Sequence, residues 1–314
     1  MAGFFMPKVK ITKGLKGKNL VSVDDLTPQM VLKLLNSASH FSKNPNSDSL
    51  KDKIVALLFF EPSSRTFSSF SVAVKRLGGQ TLEYQNPSQT SSLVKGETFE
   101  DMIKVFSEYC DAIVLRHYEK GSALKASEVS SVPVINAGDG IGEHPTQALL
   151  DLLTISQIHK RVENLKGLIV GDLVNGRTVH SLIKLLAKFR NNQVWLLSVK
   201  EFAIPQKDLE EYRNRGISIN LIHEESDIPK DLDFWYWTRM QTERLKSKKA
   251  KNAFILRKNL IDKYAGESTI FMHPLPRVGE ILEEVDLDPR AMYLTQEVQN
   301  GVFMRMASLD AILK

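Results

Sequence analysis

The stretch Phe60-Glu61-Pro62-Ser63-Ser64-Arg65-Thr66 follows directly on an apolar run, residues 54–60, that is rich in Ile, Val, Leu and Phe. Such a run predicts a strand that is buried on both faces, as in a parallel sheet. Beyond Thr66, apolar side chains recur at helical spacing up to Gly78-Gly79, which predicts a helix with a glycine stop. The quoted stretch is therefore a turn from a strand into a helix.

This turn carries three hydroxyls and one guanidinium, from Ser63, Ser64, Thr66 and Arg65. A helix N-terminus presents unpaired backbone N–H groups and a partial positive charge, so it is suited to binding phosphate. A simple N-cap is the alternative, because Ser and Thr favour that position. One hydroxyl is enough for a cap, whereas three hydroxyls beside an arginine favour a phosphate site.

Short apolar runs alternate with amphipathic segments through the rest of the chain. This alternation predicts an α/β fold of two domains, each a parallel sheet flanked by helices, with the active site between them. Ligands of such sheets lie outside the carboxyl ends of the strands, where the polar motifs of this chain fall. The predicted strands span residues 54–60, 112–115, 132–136, 168–172, 194–198, 217–221, 233–238 and 269–272, and predicted helices span 99–109, 146–159 and 178–189.

Length and composition are those of an ordinary globular protein, with 314 residues, 42% hydrophobic and 25% charged, which is long enough for two domains. No apolar run approaches the roughly 20 residues that cross a bilayer, and we expect no membrane partner. Cys110 is the only cysteine, which favours the cytoplasm. The seven histidines lack ligand spacing, so we expect no metal. Lysines and arginines are scattered without an aromatic-basic array, so we expect no nucleic-acid partner.

Polar residues also close the next predicted strands. Arg116 ends the strand at 112–115 and can reach a ligand shared with the serine-rich turn, although a surface arginine is the alternative. In Glu143-His144-Pro145-Thr146-Gln147, His144 and Gln147 lie one helical turn apart at the start of a predicted helix. A lone histidine before a helix is usually structural, but these two side chains share a face and can serve one ligand.

The second half of the chain offers cations for an anionic substrate. Arg177 lies in a strand-to-helix turn, and Arg239 and Gln241 follow the strand at 233–238. Two guanidiniums and an amide suit a dicarboxylate, because arginine pairs with carboxylate in a bidentate way. A surface salt bridge is the alternative for Arg239. A Gly-x-Gly-x-x-Gly dinucleotide motif is absent.

Two further segments have no regular pattern of their own. Residues 91–98 form a long polar loop, which taken alone predicts a lid hinged at Gly96. The segment His273-Pro274-Leu275-Pro276-Arg277 follows the last predicted strand. Its two prolines stiffen the backbone and leave carbonyls without local partners, so that they can accept hydrogen bonds from a substrate NH2 group.

Taken together, these segments resemble the transcarbamoylase family from about Leu20 to the C-terminus. The turn at 63–66 is similar to the family's Ser-Thr-Arg-Thr signature, with Ser64 in the place of the first Thr. The segment at 143–147 matches the family's His-Pro-x-Gln, and residues 238–244 match its Thr-Arg-x-Gln-x-Glu-Arg pattern. Five motifs occur in the family's order, which makes chance an inadequate explanation.

The resemblance implies a carbamoyl-phosphate-binding domain at residues 1–145, with a C-terminal helix of about residues 291–314 packed back on it, and an aspartate-binding domain at 146–290. Thr66, Arg116 and His144 would be catalytic, as donors to the carbonyl oxygen. The residues that would hold carbamoyl phosphate are Ser63, Ser64, Arg65, Thr66, Ser91 or Ser92, Arg116, His144, Gln147, Leu275 and Pro276. Those that would bind aspartate are Lys95, Arg177, Arg239 and Gln241.

By the same resemblance, the chain transfers a carbamoyl group to L-aspartate, forming N-carbamoyl-L-aspartate and phosphate in de novo pyrimidine synthesis, without a cofactor. Pro274 favours aspartate, because ornithine carbamoyltransferases carry cysteine there; ornithine is the alternative acceptor. The family implies a homotrimer in which Lys95 enters a neighbour's site, and regulatory chains or dihydroorotase are further candidate partners. A catalytically silent scaffold is the remaining alternative; it predicts broken motifs, whereas these are intact.

Overall fold

The computed structural model describes residues 14–86, 96–240 and 254–314. The chain divides into two compact units. Unit 1 comprises the chain up to residue 150 together with residues 300–314, and unit 2 comprises residues 151–299. None of the helices within the described ranges is both long and apolar enough to cross a membrane.

Unit 1 is built on a four-stranded parallel sheet. The strands are β1 (Ile54–Phe59), β2 (Gln80–Gln85), β3 (Ala112–His117) and β4 (Val134–Asp139), and the helices are α1 (Pro28–Lys43), α2 (Ser64–Arg76), α3 (Phe99–Ser107) and α4 (Ser122–Val129). The strand order is β2-β1-β3-β4. All residues of β3 and β4 are buried, and β1 is buried except for its first residue. Two-sided burial is what a parallel sheet covered by helices requires.

Unit 2 contains a five-stranded parallel sheet. The strands are β5 (Lys166–Val170), β6 (Gln193–Leu197), β7 (Ser218–Ile222), β8 (Phe234–Trp237) and β9 (Ile270–Met272), and the helices are α6 (Arg177–Leu186), α7 (Gln206–Asn214) and α8 (Lys258–Tyr264). The strand order is β7-β6-β5-β8-β9. Trp235, Trp237 and Phe271 are buried in its core. Large aromatic side chains of this kind bury much apolar surface, so β8 and β9 contribute strongly to the core of this unit.

Two helices run from one unit into the other along the chain. These are α5 (Pro145–His159), which begins in unit 1, and α9 (Gln296–Leu313), which begins in unit 2. The predicted α/β class with two parallel sheets is confirmed, and the eight predicted strands correspond to β1 and to β3 through β9. Strand β2 was not predicted.

Candidate active site

The serine-rich turn opens helix α2 directly after strand β1. Ser63 is the N-cap residue, but its side chain makes no capping hydrogen bond, so the cap interpretation does not account for its hydroxyl. Thr66 is buried, whereas Ser64 and Arg65 are exposed. Although Arg65 is exposed overall, the protein around its guanidinium removes part of the solvent there and lowers its pKa, and the group stays charged at neutral pH. This end of α2 combines helix N–H groups, hydroxyls and a cation, as a phosphate site requires.

Arg116 lies beside this turn because β3 pairs with β1. The register places Phe59 opposite Arg116, and only 9% of the arginine is exposed. Its Nη2 lies 2.9 Å from Glu61 Oε2, and its Nη1 donates to the carbonyl oxygen of Ala137 at 3.3 Å. An incoming anion therefore competes with Glu61 for the guanidinium. Glu61 lies in the same serine-rich stretch of sequence, but the sequence pattern alone indicates no role for it.

His144 lies immediately before helix α5 and is 3% exposed. Its carbonyl oxygen accepts hydrogen bonds from the N–H groups of Gln147 at 3.0 Å and Ala148 at 3.2 Å. Its Nδ1 lies 3.4 Å from Thr146 Oγ1. Gln147 is also largely buried. The structure thus places His144 and Gln147 on one turn of helix, as the motif predicts.

Asp139 fixes the loop that leads to His144. Its Oδ1 accepts hydrogen bonds from Glu143 N at 2.7 Å and from Asn136 Nδ2 at 3.1 Å, and its Oδ2 accepts from Gly121 N at 2.7 Å. A Cβ atom on Gly142 would lie 2.6 Å from Asp139 Oδ1, so this position requires glycine. Since β4 pairs with β3, the loop starts at the same sheet edge as Arg116. The turn, Arg116 and the His144 loop therefore follow three neighbouring strands of unit 1.

In unit 2, Arg177 and Arg239 follow two paired strands. Strand β5 pairs with β8 up to Val170 opposite Trp237, and Thr238 N then donates to the Val170 carbonyl oxygen at 2.8 Å. Gly171 has φ +124°, and a Cβ atom there would lie 2.4 Å from the Thr238 carbonyl oxygen. The two strand exits thus pack backbone against backbone, and both arginines, each partly exposed, leave the sheet at this edge.

The proline-rich segment leaves the sheet at the next strand along. Strand β9 pairs with β8 up to Tyr236 opposite Met272, so the segment begins beside the exit that leads to Arg239. Leu275 has φ +56°, and the Leu275–Pro276 peptide bond is cis. Arg277 Nη2 donates to Asp286 Oδ2 at 2.6 Å. The three exits of unit 2 therefore lead to the predicted site residues Arg177, Arg239, Leu275 and Pro276.

Four predicted site residues, Ser91, Ser92, Lys95 and Gln241, lie outside the described residues, so their roles stay predictions. Within the described residues, no group of three or more His, Cys, Asp and Glu side chains could hold a metal ion. The cations and hydroxyls above are suited to binding anions.

Sequence models of two domains of one family match this chain. The carbamoyl-P binding domain of aspartate/ornithine carbamoyltransferase matches residues 18–157, and the Asp/Orn binding domain matches residues 163–312. The chain belongs to the aspartate/ornithine carbamoyltransferase family. The resemblance inferred from the motifs is thereby confirmed.

Individual relatives in this family are similar over almost their full length. The aspartate carbamoyltransferase catalytic subunit of Vibrio vulnificus is 42% identical over 307 residues, which cover 96% of this chain and 99% of that relative. That of Parabacteroides distasonis is 40% identical, covering 95% of this chain and 98% of the relative.

Solved carbamoyltransferase structures are also similar. Aspartate transcarbamoylase from Trypanosoma cruzi in complex with carbamoyl phosphate and aspartate has a TM-score of 0.89 and 38% identity, over 96% of each chain. The catalytic subunit of the M. jannaschii enzyme has a TM-score of 0.86 and 40% identity, over 93% of this chain and 97% of that one.

Proposed function

We propose that this chain is an aspartate carbamoyltransferase, which transfers the carbamoyl group of carbamoyl phosphate to the amine of L-aspartate. The products are N-carbamoyl-L-aspartate and phosphate. The observation that carries this proposal is the similarity to aspartate carbamoyltransferase catalytic subunits at 40–42% identity over 95–96% of the chain. A structurally similar relative was solved with carbamoyl phosphate and aspartate bound.

The residues assigned to unit 1 act on carbamoyl phosphate. The aspartate nitrogen attacks the carbonyl carbon, and the bond from that carbon to the phosphate oxygen breaks. Negative charge develops on the carbonyl oxygen, where Thr66, Arg116 and His144 donate hydrogen bonds that lower the barrier. The N-terminal turn of α2 holds the phosphate, which leaves as an anion and takes up the amine proton. Gln147 contacts the amino group of carbamoyl phosphate.

The residues assigned to unit 2 orient the acceptor. Arg177 and Arg239 each pair with a carboxylate of aspartate, because a guanidinium offers two parallel N–H donors to such a group. The carbonyl oxygens of Leu275 and Pro276 accept hydrogen bonds from the carbamoyl NH2 group. Holding two anionic substrates in attack geometry supplies much of the rate, since effective molarities reach about 10⁵ M or more.

The acceptor is tested directly by offering the purified chain either aspartate or ornithine with carbamoyl phosphate. We expect N-carbamoyl-L-aspartate and phosphate to form in equal amounts, with no detectable transfer to ornithine. The charge pattern is the reason, because two guanidiniums suit the two carboxylates of aspartate and oppose the additional ammonium group of ornithine. Preferential formation of citrulline would make ornithine the substrate, and failure with both amines would favour a silent scaffold.

We also propose that the chain works as a homotrimer with shared sites, in the cytoplasm, as a step of pyrimidine synthesis. The family resemblance assigns Lys95, with Ser91 or Ser92, to the site of a neighbouring chain. A closed ring lets every chain both give and receive this loop. The lone cysteine supports the cytoplasm, because disulfides are typical of oxidising compartments.

Mixing two inactive variants, Lys95→Ala and His144→Ala, tests the shared site. Each site would take His144 from one chain and Lys95 from its neighbour, so random exchange of equal amounts of the two variants should leave native pairs in about one quarter of all sites. We expect activity to return to about that fraction after subunit exchange. Each variant exchanged with itself is the control. If demonstrated hybrids stay inactive, Lys95 serves its own chain and the shared site is wrong.

A further inference from the structure

Two buried side chains in unit 2 form a hydrogen-bonded pair to which the proposed mechanism assigns no step. His273 is 1% exposed and Glu280 is 7% exposed, and His273 Nε2 lies 2.8 Å from Glu280 Oε1. The backbone N–H of Leu275 donates to His273 Nδ1 at 2.7 Å. Because a backbone N–H can only donate, Nδ1 carries a lone pair, and the imidazole proton of the neutral ring is on Nε2. His273 Nε2–H therefore donates a hydrogen bond to Glu280 Oε1.

The second oxygen of Glu280 holds the other end of the same segment. Glu280 Oε2 accepts a hydrogen bond from Val278 N at 2.8 Å. Burial opposes the charge of this carboxyl, but the hydrogen bonds from His273 and Val278 lower its pKa below the usual value, so it is ionised at neutral pH. One carboxylate thus fixes Val278 directly and Leu275 through the histidine.

Leu275 needs such support because of its backbone. Its φ of +56° lies in the left-handed region, which a leucine adopts only when its surroundings enforce it. The segment is anchored beyond the pair as well, since His273 N donates to Glu297 Oε2 at 3.1 Å. Within the described part of the chain, no backbone N–H donates to the carbonyl oxygens of Leu275 or Pro276. Their direction is set by the segment, and they stay available to a ligand.

We propose that His273 and Glu280 are positioning residues for the recognition of carbamoyl phosphate. Glu280, acting through His273, sets the direction of the Leu275 and Pro276 carbonyl groups. This inference rests on the proposed function, because these carbonyls matter here as acceptors for the carbamoyl NH2 group. Neither side chain needs to touch the substrate.

The substitution Glu280→Gln tests the pair with little change of size. His273 and Val278 contact different oxygens of Glu280, and in glutamine one of these two positions becomes an NH2 donor that can accept from neither. If its NH2 group faces the imidazole, the ring must move its proton to Nδ1, which then opposes the N–H of Leu275. Either arrangement releases one end of the segment, and the carbonyl groups lose their fixed direction.

The measurement compares two ligands that differ only at the group in question. Carbamoyl phosphate has an NH2 group where acetyl phosphate has a methyl group, and both carry the same phosphate and carbonyl. We expect Glu280→Gln to weaken equilibrium binding of carbamoyl phosphate about tenfold, the scale of one hydrogen bond. Binding of acetyl phosphate should change less than about twofold, since a methyl group donates no hydrogen bond. Equal weakening of both ligands, or of neither, would overturn the proposal.

A matched control separates positioning from stability. Glu225 forms a two-bond ion pair with Arg257, at 2.9 and 2.6 Å, in the same unit. Glu225→Gln also removes the charge of a paired carboxylate. We expect this variant to bind carbamoyl phosphate and acetyl phosphate with the affinities of the native chain. Thermal unfolding of both variants measures the stability that each loses. If the Glu225 variant also bound carbamoyl phosphate more weakly without a change in acetyl phosphate binding, the positioning role of Glu280 would be contradicted.

His273 offers a second, graded test should the Glu280 variant fold poorly. His273→Ala removes the acceptor for Leu275 N–H, whereas an asparagine side chain accepts from the N–H two residues ahead. We expect His273→Asn to recover part of the carbamoyl-phosphate affinity that His273→Ala loses, again without effect on acetyl phosphate. If both variants discriminate between carbamoyl phosphate and acetyl phosphate as the native chain does, His273 does not position the Leu275 and Pro276 carbonyl groups. Carbamoyl transfer to aspartate by the native chain tests the proposed function separately.

Discussion

Replacing Arg65 with alanine should lower the turnover number by about two to three decades, the scale expected when one preorganised donor to the transition state is removed. Arg65 lies in the first turn of α2, directly after β1, where the helix already offers N–H groups to a phosphate. Its guanidinium supplies the full charge that the hydroxyls of the turn lack. Steady-state rates at saturating substrates and equilibrium binding of carbamoyl phosphate measure the two parts of its effect.

Arg76, at the opposite end of the same helix, is the matched control for Arg65. Arg76→Ala removes an equal charge from α2, but it lies three turns from the phosphate turn and should leave the turnover number unchanged. A variant without Arg65 that keeps both its rate and its affinity for carbamoyl phosphate would exclude this residue from the site.

Most of the fold can be predicted because most of its strands are buried on both faces. Strands such as β1 and β8 are therefore continuous apolar runs, which stand out from the amphipathic helices between them. The missed strand, β2, is the sequence Gln-Thr-Leu-Glu-Tyr-Gln at 80–85, with no buried residue. It lies at the sheet edge and pairs only with β1. A polar edge strand gives no apolar run, so periodicity alone cannot detect it.

Site residues can be predicted from the sequence where they lie at strand ends. Their side-chain hydrogen-bond and ion-pair partners cannot, because those contacts form only in the folded chain. The serine-rich turn, Arg116 and His144 lie at strand ends, so the rule for ligands in parallel sheets locates them. The Glu61 partner of Arg116 is found only when the register of β1 and β3 is known. Glu280 is seven residues from His273 and shares no periodic pattern with it. Such polar contacts depend on loop geometry, which local sequence does not determine.

Arg239→Ala should impair aspartate use far more than carbamoyl-phosphate binding. Arg239 directly follows Thr238, whose backbone N–H and hydroxyl both hold the Val170 carbonyl oxygen, at 2.8 and 2.9 Å. The backbone that carries Arg239 is therefore held firmly at the end of β8, so its guanidinium can keep bidentate geometry toward a carboxylate. Breaking a hydrogen-bonded charge pair costs about 2–5 kcal/mol, so we expect kcat/KM for aspartate to fall by about two to three decades.

Three measurements decide whether Arg239 acts on the acceptor alone. Equilibrium binding of carbamoyl phosphate to Arg239→Ala should stay within about threefold of the native value, because residues other than Arg239 are assigned to bind that substrate. Arg239→Lys should recover only part of the aspartate affinity, since lysine restores the charge but not the paired donors. Arg215→Ala, which removes an arginine paired with Glu211 elsewhere in unit 2, should change neither substrate. If carbamoyl-phosphate binding collapses while aspartate saturation stays native, the division of the two substrates between the phosphate turn and the arginines of unit 2 is wrong.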